Sequence, residues 1–180
     1  MRAIFISLRY LIFMSLFLGI LYPLFSTALG GFLFPRRSAG SLVVINGEVR
    51  GSELLAQKFT QQKYFWPRPS AVDYQTASGG GSNRSATHKA LKEEVLTRMV
   101  TLGAKAPVDM LYASGSGLDP HISPEAALFQ APRVALARGI SKNELNKFIK
   151  KSTDSKLLGF MGQDRVNVLE LNQLLDKSQP

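Results

Sequence analysis

The chain has 180 residues, with 22 Lys and Arg against 13 Asp and Glu, a net charge of +9 and no cysteine. The missing cysteine excludes disulfides, thiol nucleophiles and cysteine-based zinc sites. The two histidines, His88 and His121, are too far apart in sequence for an i, i+4 metal pair, so no metal site is expected.

Tyr10 to Phe34 carries no charge over 25 positions. As a helix rising roughly 1.5 Å per residue it would reach ~37 Å, longer than the ~30 Å hydrocarbon core of a bilayer. No comparable run follows Arg36, so the chain spans once or is secreted. The basic start through Arg9, the breaker Pro23 and the small residues Ser26-Thr27-Ala28 also suit a cleavable signal peptide. Leu29, Phe32, Leu33 and Phe34 continue the apolar run beyond that cut and favour retention. Neighbouring helices can satisfy the carbonyl that Pro23 frees, and Gly19, Gly30 and Gly31 let another helix approach. Arg2 and Arg9 before the run balance Arg36 and Arg37 after it, which leaves orientation a near tie on charge.

The 146 residues beyond Phe34 suffice for one compact domain with its own core, and they carry 20 Lys and Arg against 13 Asp and Glu. Such a surface favours lipid head groups or an acidic partner. Its cations are scattered rather than clustered, which argues against nucleic acid.

Leu42-Val43-Val44-Ile45 followed by Asn46-Gly47 reads as a strand entering a tight hairpin. Ser52 is placed to cap a short helix from Glu53 to Phe59. Tyr64-Phe65-Trp66-Pro67-Arg68-Pro69 must be extended, since each proline bars the helical region for the residue before it, and its aromatics are expected to pin the loop to the domain. Ser78 to Asn83 is a glycine loop, and Thr87 to Leu102 a helix with Leu91, Val95, Met99 and Leu102 on one face and Gly103 at its end. Val108, Met110 and Tyr112 alternate like a half-buried strand. A second glycine loop from Ala113 leads to Ser123-Pro124-Glu125, a hydroxyl cap, first-turn proline and acid that together start a helix. Pro132 is expected to kink or interrupt that helix before Gly139 stops it. Ser141 and Glu144 form a capping box for Lys142 to Lys151, Val166 to Val168 reads as a last strand and Leu169 to Leu175 as a last helix.

Three chemistries are open to these residues. Ser114, Ser116, Asp119 and His121 invite a hydrolase reading, but they crowd onto one loop and lack the G-x-S-x-G elbow. Anion or phosphate binding suits the glycine and serine loops, whose amides can face a ligand and one of which runs into a helix N-terminus. Arg68, held between two prolines, is a stiffly presented cation for a carboxylate or phosphate, or else a clasp to Asp73. The remaining reading is structural, with the glycines turning the chain.

YFWPRPSA at Tyr64 to Ala71, SGGGSN at Ser78 to Asn83, ASGSGLDPHISPEAA at Ala113 to Ala127, RVALARG at Arg133 to Gly139 and VNVLELNQLLD at Val166 to Asp176 strongly resemble the C subunit of the Kdp potassium-transporting ATPase, as do YPL at Tyr22 and TALG at Thr27. The resemblance implies an α+β chain with residues 1–9 cytoplasmic, a transmembrane helix over 10–34, and a single compact soluble domain over 35–180 outside the bacterial inner membrane. It implies an accessory subunit without a catalytic site of its own, needed for assembly and acting as a catalytic chaperone for ATP binding by the pump subunit. Its partners would be an ATP-hydrolysing P-type subunit, a channel-like potassium-translocating subunit, a very small single-span subunit and membrane lipid. It has no cofactor of its own, and ATP enters only in the assembled complex. Were nucleotide or another anion held directly, Ser78, Gly79, Gly80, Ser82, Asn83 and Arg68 are the candidates. The alternative is a stand-alone anchored or exported binding protein for an anionic ligand.

Overall fold

The structure is a computed structural model that describes residues 1–45 and 47–178, and it divides into two compact units, Met1–Arg50 and Gly51–Pro180. In the first unit, helix α1 runs continuously over Arg2–Leu33 and is long and apolar enough to cross a membrane. None of the residues in its most apolar stretch is buried within the protein, unlike those of the core helix of a soluble domain. Within it, Phe17–Leu21 widens into a π turn, where the Tyr22 N–H donates to the Phe17 carbonyl. The reason lies just downstream: Pro23 has no N–H to give Gly19, and its ring would strike that carbonyl in a regular helix. A wider turn relieves the clash inside the helix itself.

One turn of helix, α2 (Pro35–Ser38), follows, and then the paired strands β1 (Leu42–Ile45) and β2 (Glu48–Ser52). The expected hairpin turn includes Asn46, which lies outside the described residues. Ser52 does not begin a helix: its hydroxyl accepts a bond from the Leu54 N–H, and residues 53–59 are turns and coil. The same hydroxyl-to-amide bond that caps a helix also closes an isolated turn, and nothing after Ser52 propagates it.

The second unit packs helices against a small sheet. Helix α3 (Lys89–Leu102) is capped by His88, whose Nδ1 accepts from the Ala90 N–H, and ends at Gly103. None of its residues is fully buried; the Leu91 stripe is only half covered. Val108–Leu111 is a helical turn, α4, rather than a strand, and it buries adjacent Met110 and Leu111. Alternation of apolar residues over five positions does not distinguish the two, and here the Pro107 carbonyl at the cap accepts from the Met110 N–H at 3.0 Å and starts the turn. Helix α5 (Pro124–Arg138) is capped by Ser123 and closed by left-handed Gly139. It runs unbroken through Pro132. The single backbone bond that proline removes is outweighed by the burial of Ala126, Ala127, Ala131 and Val134 on the same helix. Helix α6 (Lys142–Lys151) buries Leu145 and Ile149, and α7 (Val168–Ser178) buries Leu171 and Leu175.

Strand β5 (Arg165–Asn167) is central in an antiparallel sheet, flanked by β3 (His121–Ile122) and β4 (Thr153–Asp154). Its register pairs Val166 with Ile122 on one side and Thr153 on the other, and Val166 is fully buried in the core. The chain is therefore α+β.

The extended aromatic segment is fixed by side chains instead of by a neighbouring strand. Asn172 of α7 accepts from the Phe65 N–H at 2.8 Å and donates to its carbonyl at 3.0 Å. Gln130 of α5 does the same to Trp66, at 2.8 and 3.0 Å. Two carboxamides thus reproduce on two successive residues what a sheet edge would supply. Arg133 stacks 3.8 Å over the Trp66 ring while donating to Gln130 and to the Gln62 carbonyl, and burial lowers its pKa to about 10.

Candidate functional site

The two glycine loops meet back to back. The Gly80 N–H donates to the Ser116 carbonyl at 2.7 Å. A Cβ built on Gly81 would lie 2.8 Å from the Gly115 carbonyl oxygen, and one on Gly117 would lie 2.7 Å from that of Gly80 and 2.6 Å from Val72. Gly117 also has φ +68, a conformation that favours glycine. Close backbone approach therefore accounts for glycine at 81 and 117. The second loop is held elsewhere too, by the Ser114 N–H on the Pro69 carbonyl and the Ala56 N–H on the Leu118 carbonyl.

Of the candidate residues, Ser78 ends a short 3-10 turn and hydrogen-bonds weakly with Gln75. Gly79 lies against Leu118 and Ser116, Ser82 is half-buried, and Asn83 is exposed with φ +52. Arg68 belongs to a different place. It lines an open cleft of about 710 Å³ with Lys105, Asp109, Asp119, His121 and Arg165, and none of residues 78–83 reaches it. The structure brings the glycine loops together and leaves Arg68 apart from the first of them, residues 78–83, and beside the end of the second.

Arg68 pairs with Asp119 at 3.1 Å, and Asp73 pairs instead with Lys58 at 2.6 Å. The alternative of an Arg68–Asp73 clasp is thus replaced by two separate ion pairs. Tyr74 anchors the arginine's backbone, its hydroxyl donating to the Arg68 carbonyl at 2.8 Å. Burial, reinforced by Asp73 and opposed by Arg98, pushes that phenol up to about 12. Asp119 also accepts from the His121 N–H at 3.0 Å. Burial alone would raise its pKa, but the hydrogen bonds from His121 and Arg68 outweigh it and hold the carboxyl below its usual range.

That depression has a sign. Because the folded value lies below the unfolded one, Asp119 stabilises the fold fully above pH ~4 and ceases to do so as pH falls through the folded value. Asp119→Asn is expected to lower stability by about 1–2 kcal/mol at neutral pH and to flatten the acid limb of the stability curve. Thermal melts of the two proteins at pH 7 and pH 3, followed through the single tryptophan, check both parts.

The serines of the second loop serve the backbone. Ser116 Oγ accepts from the Leu118 N–H, Ser123 Oγ caps α5, and Ser114 is buried. Among the described residues no three His, Asp or Glu side chains converge to hold a metal ion. Sequence reasoning missed the Asn172 and Gln130 brackets. A buried carboxamide on the apolar face of each helix was the available signal, but not which backbone it would meet.

A family model described as K+-transporting ATPase, c chain, matches residues 4–177. Proteins called potassium-transporting ATPase KdpC subunit are similar along almost their whole length. The one from Leptospira interrogans is 47% identical over 98% of this chain and 94% of its own. That from Cronobacter sakazakii is 46% identical over 97% of both, and that from Geobacter sulfurreducens 43% identical over 94% and 95%.

Proposed function

Since the chain belongs to the KdpC family of K+-transporting ATPase c chains, we propose that it acts as a noncatalytic accessory subunit of an ATP-driven potassium uptake complex. In this reading α1 is the single span, with its N-terminus in the cytoplasm and the second unit outside the inner membrane. The partners are an ATP-hydrolysing P-type subunit, a potassium-translocating channel-like subunit and a small single-span subunit. The chain supports their assembly and raises ATP affinity in the pump subunit without touching nucleotide.

The observation that carries the indirect role is the bond from the Gly80 N–H to the Ser116 carbonyl, with Gly81 against Gly115. An anion cradle offers unspent amides to its ligand. Here the central amide of the first loop is spent on the second. Nucleotide affinity elsewhere in a complex then changes through a coupling free energy between conformational states, typically ~1–3 kcal/mol or about 5–150-fold.

Removing the chain should abolish ATP-coupled potassium uptake, while equilibrium ATP binding should be undetectable on the isolated full chain and tightened in the complex by its presence. Uptake that survives the deletion would sink the accessory role. ATP bound by the chain alone would instead return Ser78, Gly79, Gly80, Ser82 and Asn83 to direct contact. The runner-up, a separate binding protein for an anionic ligand, has the cations Arg68, Lys105 and Arg165 of the cleft in its favour; purification from detergent with no large membrane partners would select it.

A further inference from the structure

The loop joining β4 to β5 ends in an apolar tip that the soluble unit does not cover. Leu157, Leu158, Phe160 and Met161 are 66%, 76%, 75% and 50% exposed, in five consecutive positions broken only by Gly159. The core takes none of them. Solvated loop tips are ordinarily polar, so a contiguous group of large apolar side chains at one marks a contact surface.

We infer that this tip inserts into the interfacial region of the bilayer that α1 crosses. Three observations favour lipid over a protein groove. The first concerns the backbone. The N–H groups of Leu157 and Met161 pair with each other's carbonyls at 2.9 and 3.0 Å, Gly159 donates to Lys156, and Phe160 donates to Leu157. These four amides are satisfied within the turn, which lowers the cost of taking this backbone out of water, whereas an open strand or loop would bring more bare donors to the edge of the hydrocarbon. Leu158 at φ +54 and Gly159 at φ +82 are the positions that close the turn so tightly.

The second is charge. From Lys150 to Arg165 four cations stand against two carboxylates, and Arg165 and Asp154 are 3.6 Å apart across the stem. Lys150, Lys151 and Lys156 then remain against Asp164, whose carboxylate accepts from the Lys156 N–H at 3.0 Å, and leave a net basic collar behind the apolar tip, the arrangement that anchors shallow insertions to anionic head groups. The third is the tether. Residues 34–50 are all that separate the end of α1 from the second unit, and even fully stretched at 3.3–3.6 Å per residue they span only on the order of 60 Å. A weak affinity suffices at such an effective concentration.

The inference rests on α1 being the span, so the test carries its own control. With no native cysteine, one nitroxide can be placed at Phe160→Cys in the full chain, reconstituted into phosphatidylethanolamine and phosphatidylglycerol vesicles. Leu18→Cys in α1 and Thr101→Cys on α3 serve as lipid and water references. The ratio of oxygen to nickel-chelate accessibility at position 160 is expected to exceed that at 101 by on the order of tenfold, and to fall back when Leu157→Ser and Leu158→Ser are added. A water-like label at 160 beside a lipid-like one at 18 overturns insertion while leaving the span intact. A label at 160 that becomes protected only after the other subunits are added also overturns it, in favour of a protein groove. A water-like label at 18 would show that the span, and the inference with it, fails.

Discussion

Asn172→Leu is expected to be the most damaging single substitution in the second unit, lowering its stability by about 3–5 kcal/mol. The side chain is only 2% exposed, and it satisfies both the N–H and the carbonyl of Phe65. Leucine matches it in volume and so leaves the packing nearly filled. The loss is therefore electrostatic: two backbone groups of a fully buried residue lose their partners, at about 1–3 kcal/mol each. Against a total of ~5–15 kcal/mol for a domain, that removes a large share. Trp66, the only tryptophan, is next to Phe65, so its emission reports the release of the segment directly. Gln130→Leu should loosen the same segment less, since Trp66 is only half-buried and water can replace part of what is lost. Equal midpoints for Asn172→Leu and the parent protein in thermal melts would refute the bracket.

The second large effect is expected at the glycine loops. Gly117→Ala combines a positive φ with a Cβ 2.6 Å from Val72 and 2.7 Å from the Gly80 carbonyl. Together these cost about 2–5 kcal/mol. Gly81→Ala meets the Gly115 carbonyl at 2.8 Å and should also force the loops apart. Gly115→Ala meets nothing within 4 Å and should be nearly neutral, although it lies in the same run of glycine and serine. Composition cannot rank these three; only the approach of the two backbones does. Measured midpoints that fall equally for all three, or for none, would contradict the close packing. In the complex, loss of potassium uptake should follow the order of instability. Loss of uptake in a stably folded Gly115→Ala would instead point to a ligand at the loop.

How far the sequence could be read depended on how far apart the interacting residues lie. Ser123-Pro124 at the start of α5, Gly139 at its end and Ser141 before α6 act within four residues of themselves, and each does in the fold what its local chemistry dictates. The π turn near Pro23 belongs to this class too, since it lies in the same helix a few residues before that proline. Ser52 and the Val108 to Tyr112 alternation are ambiguous locally, and context settled both the other way. Strands β3 and β4, two residues each, carry no periodic signal at all and exist because β5 lies between them. Arg68 shows the limit for the site. Proline on both sides announces a presented cation, but its partner lies 51 positions later, and Asp73 was only the nearer of two acids.

The two carboxamide brackets grip main chain, and this separates attachment from identity. Phe65 and Trp66 are held through groups that every residue except proline possesses. A side-chain change at 65 or 66 therefore leaves these four hydrogen bonds in place and removes only packing, the core burial of Phe65 and the stacking of Trp66 under Arg133. The segment's course is written on α5 and α7, and its packing at positions 65 and 66.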